Sequence, residues 1–192
     1  MSTLTEKQKM IQGLEYFASD KTLVHERFAA RKQLDMLNAI PQDKVKQRAV
    51  LLQQLFGSTG KRLYVESTFK CDYGYNIHVG ENFYANFGCV ILDCAPVTIG
   101  DDCMLGPNVH IYTAAHPLDP IARKKGIEFA KSISIGNNCW IGGNAVINPG
   151  VKLGHNVVVG AGSVVTKSFE DNVVIAGNPA KVIQFIDNTS RK

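Results

Sequence analysis

IGNNCW-IGGNAV-INPGVK-LGHNVV-VGAGSV-VTKSFE is the sequence from Ile135 to Glu170, and it repeats every six residues. The first residue of all six groups is aliphatic, and the second is Gly in four of them. The fifth residue is mostly small or β-branched, as at Cys139 and Ala145. A period of six differs from the 3.6 residues of an α-helix and from the alternation of a simple strand. It is typical of a parallel β-helix of hexapeptide repeats.

Each group predicts a short strand followed by a corner. The aliphatic side chain points into the coil, and Gly lets the chain turn tightly because it has no Cβ. Three groups close one coil of 18 residues, and neighbouring coils should lie about 4.8 Å apart. The prediction therefore stacks residues that are 18 positions apart, namely Ile135 with Leu153, Ile141 with Val159, and Ile147 with Val165.

The first part of the chain contains no hexapeptide groups and predicts an N-terminal helical segment over residues 1–60. Ser, Thr and Asp are favoured caps at helix starts, and Pro is favoured in the first helical turn. We expect three helices here, which begin near Ser2 or Thr5, at Asp20 and at Pro41.

The predicted β-helix spans residues 61–186. Its first coils are irregular, and the six-residue pattern becomes clear at Ile99 and Leu105. The pattern stops between residues 112 and 131, in a polar stretch that contains two prolines. Insertions into a repetitive coil form loops on its binding face, so this excursion is expected to be functional. Residues 187–192 are expected to fray.

Composition narrows the possible classes of protein. The chain has 192 residues, 45% of them hydrophobic, and a formal net charge of +4. It contains no apolar run that could span a membrane, and its first ten residues lack the apolar core of a signal peptide. Its basic residues are dispersed rather than clustered, which argues against nucleic-acid binding. Its five cysteines form no paired motif, so we expect reduced thiols, a cytoplasmic location and no metal site.

Several segments together resemble the sugar O-acetyltransferases of the hexapeptide-repeat superfamily, above all the maltose and galactoside O-acetyltransferases. These segments are NIHVGENFYANFGCVILD, AAHP, IGNNCWIGGNAVINPGV, GAGSVVTK and AGNPAKVI, and GLEYFASDKTL is similar to the N-terminal domain of that family. The resemblance implies a mainly β protein with a left-handed parallel β-helix. It also implies a homotrimer that uses acetyl-CoA as cosubstrate.

His116 lies in the AAHP segment, inside the excursion, and the resemblance makes it the catalytic residue. A histidine side chain can take a proton from a sugar hydroxyl near neutral pH. The hydroxyl would then attack the thioester carbonyl directly, without an acyl-enzyme. Backbone N–H groups would stabilise the oxyanion, and the resemblance implies the amide of Gly143.

The resemblance also implies residues for the two substrates. Those for the acceptor are Arg27, Asp72, Tyr84, Asn86, Asp93 and Trp140. Those for CoA, in a groove between the coils of two subunits, are Gly143, Ala161, Thr166, Lys167 and Lys181. Lysines can meet phosphates as point charges. Relatives often carry Ser at the position of Asp72, and some carry an acid at that of Cys94, so the choice of sugar stays open.

Three alternatives to a sugar acetyltransferase remain at this stage. The first is an O- or N-acetyltransferase for an acceptor that is not a sugar. The second is a trimeric zinc enzyme similar to the hexapeptide-repeat carbonic anhydrases, since a catalytic zinc needs three protein ligands. The available histidines are His78, His110, His116 and His155. The third is a trimeric scaffold without catalysis, which the presence of His116, Asn86 and Asp93 argues against.

Overall fold

The structure is a computed structural model that describes residues 4–187. The helices within these residues are α1 Glu6–Ile11, α2 Lys21–Ala39, α3 Val45–Leu55 and α4 Pro120–Lys124. None of them is both long and apolar enough to cross a membrane. The fraying expected for 188–192 and the helix cap expected at Ser2 concern residues outside those described.

The strands of the coil lie on three faces, and the chain passes from face to face in order. Face 1 contains β2 Leu63–Val65, β5 Phe83–Ala85, β8 Met104–Leu105, β13 Trp140–Ile141, β16 Val158–Val159 and β18 Val173–Gly177. Face 2 contains β3 Lys70–Cys71, β6 Val90–Leu92, β9 His110–Tyr112, β14 Val146–Ile147 and β17 Val164–Val165. Face 3 contains β4 Ile77–Val79, β7 Val97–Ile99, β12 Ile133–Ile135 and β15 Lys152–Leu153.

Four further strands pair antiparallel. β1 Tyr16–Phe17, β10 Ala114–Ala115 and β11 Ile127–Ala130 form a small separate sheet, whereas β19 Ala180–Phe185 folds back along β18. We call the bends of the coil the 1–2, 2–3 and 3–1 corners, after the faces that they join.

The stacking register expected from the sequence is confirmed. Ile135 pairs with Leu153, Ile141 with Val159 and Ile147 with Val165 in parallel ladders. All six side chains are at most 3% exposed. The chain is therefore a parallel β-solenoid of about six turns that follows an N-terminal helical segment.

Gly occurs at the second position of four hexapeptide groups for a different reason from the expected one. A Cβ on Gly136 would lie 2.6 Å from the carbonyl carbon and oxygen of Gly154 in the next coil. Gly is therefore required by the close approach of two coils. The left-handed turn occurs at the fourth residue instead, where Asn138, Asn144 and Asn156 have φ of 58°, 58° and 54°. Asn adopts this conformation more readily than most residues.

The helical segment matches the sequence at α2 but not at α3. The Asp20 carboxylate accepts hydrogen bonds from the amides of Thr22 and Leu23, which confirms the expected cap of α2. The expected start of the third helix at Pro41 is wrong, because α3 begins at Val45. The carbonyl of Pro41 accepts a hydrogen bond from the Lys44 amide, so these residues form a turn instead.

A buried guanidinium attaches the helices to the first coil. Arg48 on α3 is 1% exposed. Its Nη1 donates to the carbonyls of Leu37 and Ile40, and its Nη2 donates to the carbonyl of Val65 in β2. One side chain thereby supplies hydrogen-bond donors to carbonyl groups at the end of α2 and in β2, the first strand of the coil.

The 2–3 corner is larger in the early coils than in the late ones. Five residues separate the inward side chains of Cys71 and Ile77, whereas three separate Ile147 and Val151. The irregularity of the first coils therefore reflects two additional residues at one corner. The excursion over residues 112–131 leaves the coil at the same corner.

The excursion is a hairpin rather than an unstructured loop. Its neck is closed by a hydrogen bond of 2.9 Å from the Lys131 amide to the Thr113 carbonyl. β10 and β11 pair antiparallel, and α4 lies between them. β1, from the N-terminal segment, pairs with the other edge of β11. The hairpin is thus held by the N-terminal segment of the same chain.

Replacing Gly136 by Ala should destabilise the coil. The added methyl group meets backbone atoms, which cannot rotate away, so we expect a loss of about 1 to 3 kcal/mol in the free energy of unfolding. Urea denaturation measures this loss. Ser134→Ala, two residues earlier on the outside of face 3, is the matched control and should change little. If both variants are equally stable, neighbouring coils can move apart far enough to admit a methyl group, and the account of Gly136 is wrong.

Candidate functional site

His116 follows directly after β10 in the excursion, and its side chain is exposed. The hairpin pairs Ala114 with Ala130 and Ala115 with Phe129. Continuing this register by one residue places His116 opposite Glu128. Directly opposed residues of an antiparallel pair have side chains on the same face, with Cβ atoms about 5 Å apart. The register therefore places the backbone of Glu128 across the hairpin from that of His116.

Glu128 is held by the N-terminal segment. It pairs with Tyr16 in the small sheet, and the Tyr16 hydroxyl donates a 2.8 Å hydrogen bond to its Oε2. Tyr16 itself is 1% exposed. A buried donor of this kind fixes the position of the Glu128 carboxylate.

Asp72 and Arg27 lie at the adjacent 2–3 corner. The Cys94 thiol donates to Oδ2 of Asp72 over 3.6 Å. Burial raises the pKa of Asp72, while the Cys94 hydrogen bond and the charge of Arg27 act in the opposite direction. Arg27 is fixed by bonds of 2.7 Å from Nη1 to the Tyr73 hydroxyl and from Nη2 to the Ala18 carbonyl.

Asp93 is completely buried beneath Asp72. Its Oδ1 accepts hydrogen bonds from the amides of Asp72 and Tyr73, at 3.0 and 2.9 Å. Its backbone carbonyl accepts a further bond of 2.7 Å from the Asn76 side chain. The carboxylate thus contacts the backbone of the enlarged corner, and it holds Asp72 in place.

Three of the expected site residues lie on the 1–2 corner. The Oδ1 of Asn86 accepts a hydrogen bond from the Phe87 amide. Gly143 and Ala161 occupy equivalent places on successive coils. Within residues 4–187, the amide of Gly143 donates to no acceptor. A half-buried N–H group without a partner can stabilise an oxyanion.

Tyr84 and Trp140 point outward from face 1. Each of them is paired with Met104, which lies between them in the ladder. The Tyr84 ring is stacked on that of Tyr64, with centroids 6.2 Å apart. Trp140 is 52% exposed and Met104 50%. An apolar surface therefore extends along face 1, beside the 1–2 corner.

The remaining expected cofactor residues are exposed near the last coils. Thr166 and Lys167 follow β17 at the 2–3 corner, and Lys181 lies on β19. The Lys167 ammonium group lies 5.5 Å from the centre of the Phe169 ring.

Apart from Thr166, Lys167 and Lys181 at the last coils, the structure divides the expected residues into two groups. His116, Arg27, Asp72 and Asp93 gather around the 2–3 corner and the hairpin. Asn86, Gly143 and Ala161 lie on the 1–2 corner, with Tyr84 and Trp140 beside it on face 1. The width of face 2 separates the two groups within one chain.

Comparison with known proteins agrees with this architecture. Residues 9–60 match the family model described as the maltose acetyltransferase hexapeptide capping motif, and residues 96–111 and 132–167 match the hexapeptide repeat of succinyl-transferase. The galactoside O-acetyltransferase of Escherichia coli K12 is 45% identical over 148 residues, which cover 77% of this chain and 73% of the relative.

Two solved structures are also similar. A maltose O-acetyltransferase from Clostridium difficile 630 has a TM-score of 0.95 at 50% identity, with coverage of 97% of this chain and 100% of that one. A galactoside acetyltransferase in complex with coenzyme A has a TM-score of 0.92 at 38% identity, with coverage of 96% and 92%. The chain belongs to the hexapeptide-repeat sugar O-acetyltransferase family. The resemblance recognised in the sequence is confirmed.

The sequence did not indicate two residues at the hairpin of this acetyltransferase. Glu128 and Tyr16 meet through pairing of β1 with β11, across 112 positions of the chain. The six-residue period carries no information on such a contact. The available signal was an acid inside the otherwise apolar segment IEFA of the excursion.

The histidines considered for a zinc site are dispersed in the structure. His78 lies on face 3, His110 on face 2, His116 in the hairpin and His155 at the 3–1 corner. In the described part of the chain, no group of three or more His, Cys, Asp or Glu side chains is arranged to hold a metal ion.

The buried Asp93 should make stability depend on pH. Burial raises its pKa to about 6, above the value of about 3.9 in an unfolded chain. The folded protein therefore binds this proton more tightly, so the stabilising contribution is present below pH ~3.9 and is lost as pH rises through about 6.

Asp93→Asn removes this titration. The free energy of unfolding of the variant is compared with that of the unchanged protein at pH 5 and at pH 7.5. The difference, variant minus unchanged protein, should be about 1 kcal/mol larger at pH 7.5. Urea denaturation at both pH values measures the difference. A difference that stays constant would contradict the buried, titrating carboxyl.

Proposed function

We propose that this protein transfers the acetyl group of acetyl-CoA to a hydroxyl of a sugar of the maltose, glucose or galactoside type. The observation that carries the proposal is the set of polar groups at the 2–3 corner, where Asp72 lies within the electrostatic reach of Arg27 and Glu128, beside the hairpin that carries the exposed His116. Such donors and acceptors suit sugar hydroxyls. Family membership and a similar structure in complex with coenzyme A support the cosubstrate.

In the proposed reaction, His116 acts as the general base. The imidazole takes the proton of the sugar hydroxyl while the hydroxyl oxygen attacks the thioester carbonyl carbon. The amide of Gly143 donates to the resulting oxyanion. Collapse of the tetrahedral intermediate breaks the C–S bond, and the imidazolium returns the proton to the CoA thiolate. Glu128, on the facing strand of the hairpin, is the residue that we assign to orienting the ring.

Direct attack fits the state of the cysteines. All five are free and buried. Burial raises the pKa of Cys71, Cys89 and Cys94, which disfavours the nucleophilic thiolate. An acetyl-enzyme on one of these thiols would also have to form inside the packed core. Five unpaired thiols suit a reducing compartment, and we propose a cytoplasmic location.

The remaining expected residues receive roles that follow from their positions. Asp72 and Arg27 bind acceptor hydroxyls, and Asp93 positions Asp72. Asn86, Tyr84 and Trp140 bind the acceptor from a second side. The pantetheine arm lies along the 1–2 corner at Gly143 and Ala161, where small side chains leave room beside the backbone. Thr166, Lys167 and Lys181 bind the CoA phosphates, and the reaction needs no metal.

These roles require more than one copy of the chain, and we propose a homotrimer. The 1–2 and 2–3 corners of one chain are separated by the strands of face 2, about 10 Å for three residues. If the 1–2 corner of one copy packs against the 2–3 corner of the next, both groups of residues meet at one site. A head-to-tail contact of this type closes into a ring, and the family resemblance implies three subunits.

Replacing His116 by Ala tests the base. Turnover with a working sugar acceptor should fall by roughly 10² to 10⁴, the usual contribution of a general base. The dissociation constant of acetyl-CoA should stay within about twofold, because the proposed cofactor contacts lie elsewhere. Release of the CoA thiol measures the first quantity, and calorimetric titration measures the second.

His25→Ala is the matched control, since His25 is exposed on α2. It should retain full turnover. If the His116 variant also turns over at the unchanged rate, another group removes the proton and the proposed mechanism is wrong.

A further inference from the structure

A cleft of about 440 Å³ lies between α2 and the outside of face 2, and it opens beside Asp72. This volume is within the range of small-molecule sites in proteins. Its polar lining residues are Arg31, Asp35, Asn38, Lys70 and Asp72. None of the roles proposed above uses this cleft, although Asp72 forms its wall on the side of the hairpin.

The helical side of the cleft continues the row that begins with Arg27. Arg31, Asp35 and Asn38 follow Arg27 at intervals of four, four and three residues, so they share one side of α2. Arg31 is also close enough to Asp72 for its charge to act on that carboxyl. Polar side chains on one side of α2 therefore extend from the proposed acceptor residue Arg27 into the cleft.

The polar groups of the cleft are of two kinds. The Asn38 side chain is bound to the backbone, because its Nδ2 donates to the Phe69 carbonyl and its Oδ1 accepts from the Phe69 amide, both at 2.9 Å. It fixes that end of the cleft. By contrast, the side chains of Arg31, Asp35 and Lys70 form no ion pair or hydrogen bond with any other residue that the structure describes.

The chemistry of the lining indicates a neutral ligand with many hydroxyl groups. Two cations, Arg31 and Lys70, are balanced by two carboxylates, Asp35 and Asp72, so the cleft has no net preference for an anion. Sugar hydroxyls can donate to the carboxylates and accept from the cations at the same time. The apolar surface that a sugar ring needs is supplied by the half-buried Val90 and Leu92 on face 2.

We infer that the cleft between α2 and face 2 is a second acceptor subsite, which holds the sugar unit next to the one that is acetylated. The preferred acceptor is therefore a disaccharide or longer saccharide rather than a monosaccharide. This inference rests on the proposed sugar acetyltransferase function. The acetylated unit lies between Asp72 and His116, and the next unit lies between Asp35 and Lys70.

The test compares acceptors of different length. Release of CoA from acetyl-CoA is measured with glucose, galactose, maltose, cellobiose and lactose. For the best disaccharide, kcat/KM should exceed that of its own monosaccharide by about tenfold or more, the effect of one or two additional hydrogen bonds. In Asp35→Ala and Lys70→Ala, this ratio should fall about tenfold. In Lys32→Ala, which alters an exposed neighbour outside the cleft, it should stay within about twofold.

The outcomes separate the two proposals. If sugars are acetylated but no disaccharide is preferred, or if the ratio is the same in all variants, the second subsite is wrong and the acetyltransferase function stands. If no sugar releases CoA while another hydroxyl or amino compound does, both the sugar specificity and the subsite are wrong.

Discussion

The close contact between successive coils is the constraint on which the rest of the structure depends. At about 4.8 Å, no side chain fits between the second residue of one coil and the backbone of the next, as the surroundings of Gly136 show. The 3–1 corner adds a ladder of side-chain oxygens or ring nitrogens that accept from backbone amides of the preceding coil. The acceptors are Glu81, Asp101, Asn137, His155 and Asp171.

In a coil that is so tightly determined, additional residues can be accommodated only at a corner. The breaks all occur at the 2–3 corner, as two additional residues in each early coil and as the hairpin over residues 112–131. Each break is stabilised from within the chain. Asp93 binds the amides of the enlarged corner, and Tyr16 binds the carboxylate of Glu128. The irregular part of the coil is therefore as firmly held as the regular part.

The N-terminal segment has two roles that its helical pattern does not reveal. Arg48 closes the contact between the helices and the first coil, and β1 extends the sheet of the hairpin. The cap of α2 at Asp20 was predictable, because it follows from the local sequence. The roles of Arg48 and β1 were not, because each depends on a contact between distant parts of the chain.

The same distinction explains what the sequence revealed about the coil and the site. The stacking of Ile141 on Val159 was predictable, since every group repeats one local rule. The reason for Gly136 was misjudged, because the close approach involves the next coil and not the corner itself. His116 was found through its segment AAHP, whereas Glu128 emerged only from the register of the hairpin.

The central claim is that each site combines the 2–3 corner of one copy with the 1–2 corner of another. The most direct test mixes two variants, His116→Ala and Asn86→Ala, each of which should be nearly inactive alone. Unfolded and refolded together in equal amounts, they should form mixed trimers in which about a quarter of all sites carry both intact residues, so about a quarter of the normal activity should return. If mass spectrometry confirms mixed assemblies and the activity stays at the level of the separate variants, the two residues belong to a site within one chain and the account is wrong.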